Sequence, residues 1–210
     1  MSVASQRREY RGEPLTEVNA AADPFEQFAR WFDQARVTEA DSTAMTLATA
    51  TPDGRPSARM VLLKGFDARG FVFYTNYDSR KAAEIEGSHR AALLFYWAGL
   101  DRQVRIEGAI ARVSDAESDA YFAMRPLESR WSAHASPQSR VIESRESLEA
   151  AVARARAEFG DDVPRPSGWG GFRVTPDAFE FWQGRENRLH DRLAYTHASD
   201  GSWRVQRLAP

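Results

Sequence analysis

Residues 179–192 place basic and titratable side chains at alternate positions near the end of the stretch. They read FEFWQGRENRLHDR, and a β-strand through the last residues would direct Arg188, His190 and Arg192 to one face. Two guanidinium groups beside an imidazole would attract an anionic ligand, and the imidazole can exchange a proton near neutral pH. A solvent-exposed strand face whose arginines pair with nearby Asp or Glu would show the same pattern. Other motifs must decide between the two interpretations.

A second segment carries a cation at each end of an apolar strand. Residues 59–64 read RMVLLK, so Arg59 and Lys64 fall on opposite faces of a regular strand. They would then serve two different ligands, unless a bulge intervenes or both side chains simply extend to solvent. Only two of the 28 basic residues are lysines, Lys64 and Lys81, which hints that a compact ammonium group is needed at these positions.

Two cations follow a predicted helix N-cap at Asp78 or Ser79. Arg80 and Lys81 in the first turn oppose the helix dipole, which is unfavourable unless an anion binds there. A phosphate would collect free backbone amides and both side chains. The alternative is a surface ion pair between Arg80 and Glu84. We predict the phosphate site.

A phenol, a guanidinium group and a hydroxyl group are spaced by four residues at Tyr121, Arg125 and Ser129. A continuous helix would align them, but Pro126 argues against continuity because the residue before a proline avoids helical geometry. The three groups nevertheless suit the oxygens of a phosphate.

Two tryptophans, Trp169 and Trp182, offer flat apolar surfaces for an aromatic ligand, although tryptophans often belong simply to the core. Two phosphate sites with aromatic walls fit a phosphorylated flavin and a phosphorylated substrate better than a hydrolase. Neither a GxSxG motif nor a P-loop is present in the sequence.

The composition excludes several classes of function. A net charge of −2 and a pI near 6.1 argue against a nucleic-acid partner. The sequence has no cysteine, and its four histidines lack HxH or HExxH spacing, so we expect no disulfide, thiolate chemistry or metal site. Redox chemistry would therefore need an organic cofactor. Without a long apolar run or a signal-peptide pattern, the sequence predicts a cytoplasmic protein with no membrane partner.

The pattern of elements predicts how these groups are positioned. Residues 1–23 are polar and predict a mobile arm, and residues 24–210 predict a single domain. Helices are expected at 24 to about 37, 79–87, 115–124 and 143–159, and strands at 44–51, 57–64, 70–76, 91–97, 103–113, 170–174, 178–183, 188–196 and 203–208. Short antiparallel strands with interposed helices indicate a closed or half-closed barrel with helical decoration.

Together these motifs resemble the pyridoxamine 5'-phosphate oxidase family over residues 6–210. The resemblance is carried, in order, by RREY at residues 7–10, RMVLLK, FYTNYDSRK, RQVRIEG, YFAMRPLES, ASPQS, WGGFRV, EFWQGRENRLHDR and RLAP. It implies a mainly β (α+β) fold, an FMN-binding split β-barrel of antiparallel strands with a smaller helical subdomain. It also implies a homodimer with FMN at the subunit interface.

The resemblance assigns ligands position by position. FMN would contact Arg59, Met60, Val61, Leu62, Leu63, Lys64, Tyr74, Thr75, Arg80, Lys81, Gln103, Gln138, Ser139, Trp182 and Arg192. The substrate would contact Arg7, Arg8, Glu9 and Tyr10 of the arm, with Lys64, Tyr121, Arg125 and Ser129 at its phosphate and Arg188, Leu189 and His190 at its pyridine ring. Arg188 and His190 would be the catalytic residues.

The implied reaction is oxidation of pyridoxine or pyridoxamine 5'-phosphate to pyridoxal 5'-phosphate, with O2 as acceptor and H2O2 as product. One alternative is a related FMN-dependent oxidase of another ring substrate, such as a phenazine precursor, although the phosphate-binding set argues against it. Another is a non-catalytic protein that binds FMN or pyridoxal phosphate. The chain departs from the usual family sequence at Ser132 and His134, where a glycine and a tryptophan are usual. Both residues lie in the segment 132–140, which we predict to be a polar loop.

Overall fold

The computed structural model describes residues 8–210, so Arg7 of the predicted substrate arm lies outside the described residues. The helices are α1 Pro24–Thr38, α2 Arg80–Ser88, α3 Asp115–Ala123, α4 Leu127–Ala135 and α5 Arg145–Phe159, with 3-10 turns at Ala98–Leu100 and Glu186–Arg188. The strands are β1 Ala44–Ala50, β2 Pro56–Leu62, β3 Gly65–Asp67, β4 Gly70–Asn76, β5 Arg90–Trp97, β6 Arg102–Arg112, β7 Trp169–Gln183, β8 Asp191–His197 and β9 Trp203–Arg207. Most of these elements lie within a few residues of their predicted positions.

The strands form one antiparallel sheet in the order β2-β1-β5-β6-β7-β4-β3, and the β8–β9 pair attaches to β7. Strand β7 was predicted as two strands but runs continuously, pairing with β4 through its first half and with β8 through its second. A bulge between Glu107 and Gly108 lets β6 follow it past Pro176. Gly108 is required there, because a Cβ would lie 2.1 Å from the Thr175 carbonyl oxygen. The sheet therefore curves into a half-barrel.

Two apolar clusters hold the fold together. Helix α1 begins with Asp23 as its N-cap and buries Phe28 and Trp31 against the concave side of the sheet. A smaller cluster around Phe122, Trp131, Ala155, Val163 and Trp169 packs α3, α4 and α5 beside β7. The structure thus confirms a mainly β fold with a smaller helical subdomain.

Two local predictions were wrong. Helix α4 occupies residues predicted partly as a polar loop: α3 ends at Ala123 with Met124 as its C-cap, and Pro126 is the N-cap of a new helix. Strand β8 begins only at Asp191, after a 3-10 turn in which Asn187 and Arg188 both have positive φ angles. Arg188 and His190 are consequently not on a regular strand.

Part of the predicted arm packs against the barrel. Leu15 and Ala21 are buried, the Gly12 N–H group donates to the Gly184 carbonyl, and the Leu15 N–H group donates to Asp191. The mobility of residues 1–23 stays a prediction. Within residues 8–210, no helix is long and apolar enough to cross a membrane.

Candidate active site

The first candidate site is a cavity of about 540 Å³ between β2, β4 and the junction of α3 with α4. Among its lining residues are eleven that the sequence assigned to a ligand: Met60, Val61, Leu62, Lys64, Tyr74, Thr75, Lys81, Tyr121, Arg125, Ser129 and Gln138. Met124 and Pro126 were missed, although both flank Arg125 in the chain, and Trp169 supplies the predicted aromatic wall. Tertiary structure therefore gathers residues from across 110 positions of sequence into one cavity.

The lining of this cavity is strongly cationic. Lys64, Lys81 and Arg125 reach it, and no Asp or Glu is found among its lining residues in the described part of the chain. The Arg125 Nη1 atom is buried and has no hydrogen-bond partner within residues 8–210. A buried guanidinium donor without a partner is unfavourable unless a ligand supplies the acceptor. The cavity is therefore suited to an anion such as a phosphate.

Lys81 is held at the cavity by neutral acceptors alone. Its Nζ atom donates to Gln138 Oε1 at 2.7 Å, Thr75 Oγ1 at 3.1 Å and Ser79 Oγ at 3.4 Å. Burial, with a smaller contribution from the charge of Arg59, lowers the pKa of Lys81. Because no carboxylate of residues 8–210 pairs with the ammonium group, an incoming anion would stabilise its buried charge.

Aromatic rings fix Arg125 and the phenol next to it. The guanidinium carbon of Arg125 lies 4.5 Å from the centre of the Trp169 ring, and Tyr74 stacks on Tyr121 at 3.9 Å. Burial raises the pKa values of Tyr74 and Tyr121, so both hydroxyl groups keep their protons and can donate at neutral pH. The break at Pro126 does not separate Arg125 from Tyr121 and Ser129, because all three line the cavity.

Arg59 and Arg80 are engaged elsewhere, by the buried carboxylate of Glu84. Arg59 Nη2 lies 3.0 Å from Glu84 Oε2, and Arg80 Nε lies 2.8 Å from Oε1. Burial would raise the pKa of Glu84, but hydrogen bonds from Ser57, Thr49, Arg80 and Arg59 lower it to about 2. The ion pair of Arg80 and Glu84, which was the alternative to a phosphate site, is thus present. Ser79 does not cap α2, which leaves the amides of the first turn without that partner.

A second cavity of about 470 Å³ is lined by Arg8, Glu9, Tyr10, Arg185, Asn187, Arg188 and His190. Residues 8–10 of the predicted arm therefore lie at the same cavity as the two predicted catalytic residues, Arg188 and His190. Tyr10 meets Trp182 and His190 edge-on at 5.4 and 5.3 Å, and Trp182 lies 4.7 Å from His190. Arg185 and Asn187 were not predicted, and their position in the GREN segment before Arg188 is the only sequence signal for them.

The His190 ring has a defined orientation. Its Nδ1 atom accepts a hydrogen bond of 3.0 Å from the Arg185 N–H group, so the neutral ring carries its proton on Nε2. Burial, and then the nearby charge of Arg188, lowers the pKa of His190. The residue therefore acts as a neutral Nε2–H donor at pH 7. Arg188 is exposed and has a φ of 62°, a conformation that is uncommon outside glycine.

A row of polar and aromatic residues continues from this cavity across three strands. Gln103 on β6 pairs with Trp182 on β7, which pairs with Arg192 on β8, so their side chains share the outer face of the sheet. Two other residues that the sequence assigned to a ligand, both leucines, line neither candidate cavity. The side chain of Leu63 is buried in the core, and Leu189 is 70% exposed and lines neither cavity.

The residues that depart from the usual family pattern lie beside the first cavity. Ser132 lines a smaller cavity of about 230 Å³ together with Asn76, Arg125 and Gln138. His134 hydrogen-bonds through Nε2 to the Pro164 carbonyl oxygen at 2.7 Å and packs on Phe159. His134 thus holds α4 against the segment that follows α5. The neighbouring Ser139, a predicted ligand, has a φ of 70° and is exposed.

The two candidate cavities have no lining residue in common. The first holds three cations and aromatic walls, and the second holds Arg188, His190 and the arm. Neither cavity alone contains both an anion site and the predicted catalytic pair. Among residues 8–210, no group of three or more His, Asp or Glu side chains could hold a metal ion.

Comparisons with known proteins identify the family to which the sequence is similar. A family model described as pyridoxamine 5'-phosphate oxidase matches residues 32–159, and one described as pyridoxine 5'-phosphate oxidase C-terminal dimerisation region matches residues 169–210. The chain is 59% identical over 210 residues to a pyridoxine/pyridoxamine 5'-phosphate oxidase of Rubrobacter xylanophilus, covering 99% of this chain and 96% of that protein.

Two solved structures share the fold. PhzG from Burkholderia lata, crystallised with tetrahydrophenazine-1-carboxylic acid, has a TM-score of 0.88 at 32% identity and covers 95% of this chain and 99% of its own. A pyridoxamine 5'-phosphate oxidase-related, FMN binding protein from Nostoc punctiforme has a TM-score of 0.74 at 18% identity, covering 90% and 98%. These similarities confirm the predicted split-barrel architecture.

Proposed function

This chain belongs to the pyridoxamine 5'-phosphate oxidase family, and we propose that it oxidises pyridoxine 5'-phosphate or pyridoxamine 5'-phosphate to pyridoxal 5'-phosphate with FMN as cofactor. The reaction places the protein in vitamin B6 metabolism. The observation that carries the proposal is the cationic cavity with the unpartnered Arg125 Nη1 atom. A site for uncharged rings alone would leave these buried cations without compensation.

The residues of the first cavity fit two phosphorylated ligands. Lys81, held by its acceptors Thr75 and Gln138, forms one cationic group next to the β2 residues assigned to FMN. Arg125, Ser129, Tyr121 and Lys64 form another, which would hold the phosphate of the substrate. Because Lys81 and Arg125 both lie partly buried without a carboxylate partner, each would gain from binding an anion.

When held by Lys81 and the β2 residues, FMN would supply the two-electron redox chemistry by which the substrate is oxidised at C4' and O2 is reduced to H2O2, with water releasing the nitrogen of the amine substrate as ammonia. The protein would mainly orient the substrate. Clamping the phosphate at Arg125 fixes one end of a rigid ring. At the other end, the Nε2–H group of His190 can donate to a ring substituent, and Arg188 can stabilise negative charge that develops on the ring. Tyr10 would cover the ring and exclude water.

The two cavities would meet only in a dimer. Trp182, Arg188, His190 and Arg192 all lie within residues 169–210, the part that matches the dimerisation region. The first cavity has an apolar rim suited to a subunit contact, since Met60 is 62% and Met124 74% exposed. We therefore propose a homodimer in which FMN binds at the interface, between the first cavity of one subunit and the second cavity of its partner.

The test is the visible spectrum of the purified protein with FMN, before and after anaerobic addition of pyridoxine 5'-phosphate. The flavin band should bleach, and admission of air should restore it with release of H2O2. A protein that only stores FMN or pyridoxal phosphate would bind without bleaching. An oxidase of phenazine precursors would bleach with such a ring and not with the phosphorylated vitamer. The cytoplasmic location stays a prediction.

A further inference from the structure

Glu180 is a buried carboxylate in the middle of the outer face of the sheet. It is 4% exposed, and both of its oxygens face cations. Arg192 Nε donates to Glu180 Oε1 at 2.9 Å, and Arg105 Nη2 lies 3.1 Å from Oε2. A buried ion pair adds little to stability compared with an apolar pair of the same volume. Stability alone is therefore a weak reason for Glu180.

The guanidinium group of Arg192 is held from a second side by the last residues of the described chain. Its Nη1 atom donates to the Ala209 carbonyl oxygen at 2.7 Å. The main chain of Arg192 is fixed as well, because its carbonyl accepts from the Leu208 N–H group at 2.9 Å. With Nε and Nη1 both occupied, Nη2 is the group of Arg192 that makes no hydrogen bond within residues 8–210. Arg192 pairs across the strands with Trp182.

We propose that Glu180 and the Ala209 carbonyl are positioning groups that orient Arg192 so that its Nη2 group meets FMN. The inference rests on the proposed function, in which Arg192 contacts the cofactor. A guanidinium group held at two of its three nitrogens loses little rotational freedom when it binds. Hydrogen bonding to Glu180 also raises the pKa of Arg192, so the guanidinium group stays protonated while Glu180 holds it in place.

Glu107 provides a matched control on the same face. Its Oε1 atom lies 2.9 Å from Arg105 Nε, and it makes no contact with Arg192. Glu180→Ala and Glu107→Ala therefore each remove one carboxylate partner of Arg105, but only the first releases Arg192. Glu180→Gln keeps an oxygen acceptor for Arg192 Nε and tests whether geometry or charge matters.

The experiment measures the Kd of FMN for the apoprotein by flavin fluorescence quenching, together with the Tm of each apoprotein. We expect Glu180→Ala to raise the Kd about tenfold, Glu180→Gln to raise it less than about threefold, and Glu107→Ala to leave it unchanged. Because Glu180 is buried and Glu107 is not, Glu180→Ala should lower the Tm more than Glu107→Ala does, and Glu180→Gln should lower it less than Glu180→Ala. Arg192→Ala should raise the Kd, and adding Glu180→Ala to it should change little more, because the two residues act as a unit.

An unchanged Kd in Glu180→Ala, or fully additive effects in the double variant, would overturn the positioning role. Should Glu180→Ala fail to fold, Glu180→Met keeps the side-chain volume and gives the same comparison. If the unmodified protein fails to bind FMN at all, the proposed function fails, which is a result distinct from loss of the positioning role.

Discussion

Arg125 should show opposite effects on catalysis and on stability. In Arg125→Met the substrate phosphate loses a charged donor, which contributes about 1.5–3 kcal/mol for each hydrogen bond to an ionised group. Because a loss of 1.36 kcal/mol corresponds to a factor of ten, we expect kcat/KM for pyridoxine 5'-phosphate to fall about 10- to 100-fold. The Kd of FMN should change little, since in the proposed arrangement Lys81 and its neighbours would hold the other phosphate, that of FMN.

The same substitution should not destabilise the ligand-free protein. It relieves the burial of an unpartnered Nη1 atom, which costs about 1–3 kcal/mol, and it loses a cation–π contact with Trp169 of about 0.5–1 kcal/mol. The difference favours Arg125→Met by about 1 kcal/mol, which corresponds to a rise in Tm of about 2–4 °C for a chain of this size.

A suitable control is Arg156→Met, because Arg156 also lies over a tryptophan of the helical subdomain, Trp131, but lines neither of the two candidate cavities. Steady-state kinetics and thermal melts of the apoproteins provide both readouts. The control should lose only its cation–π contact and keep full kcat/KM. A lower Tm for Arg125→Met combined with unchanged kinetics would refute the assignment of Arg125 to the substrate phosphate.

Four further outcomes follow from the site. Lys81→Met should weaken FMN binding about tenfold by fluorescence titration, because it removes one charged donor, and KM for the substrate at saturating FMN should stay the same. The acidic limb of the pH profile of kcat/KM should lie below pH 6.5, because the pKa of His190 is lowered in the folded protein, and this limb should vanish in His190→Gln. For the same reason, the stability that neutral His190 contributes is complete above pH 6.5 and is lost as the pH falls through its lowered pKa. The pKa of Glu84 is lowered from 4.5 to about 2, so its carboxylate stabilises the fold above pH 4.5 and this contribution is lost as the pH falls towards 2. The urea midpoint of Glu84→Gln should therefore change less between pH 4.5 and 2 than that of the unmodified protein. Mixing and refolding the impaired Arg125→Met and Arg188→Ala homodimers should raise the activity to about a quarter of the wild-type value, because half of the dimers are then heterodimers and each heterodimer of a shared-site enzyme has one intact site. Activity no higher than that of the separate homodimers would contradict a site at the interface.

Much of the fold could be predicted from local sequence patterns. The alternation of residues along the strands, the turn residues and the start of a helix at Asp23–Pro24 each depend on a few neighbouring residues. They can therefore be recognised in the sequence without knowledge of tertiary contacts. Helix α4 was missed because a proline such as Pro126 usually interrupts a helix. In the folded protein, packing of Trp131 in the helical cluster favours a second helix directly after Pro126. The long strand β7 was divided because its pairing with β6 shifts at Pro176, leaving Asp177 without a partner on β6, and such an irregularity depends on the neighbouring strand.

The candidate site was predicted in its chemistry but not in its geometry. The sequence by itself determined which donors exist, since Lys64, Lys81, Arg125 and His190 are fixed by residue type and recognisable motifs. Only the tertiary structure decided how they are used. Glu84 holds Arg59 and Arg80, and left-handed backbone at Arg188 removes it from the strand face on which regular alternation had placed it. The separation into two cavities likewise depends on long-range strand order, which no local pattern encodes, because pairing partners far apart in sequence are selected by burial of the whole sheet.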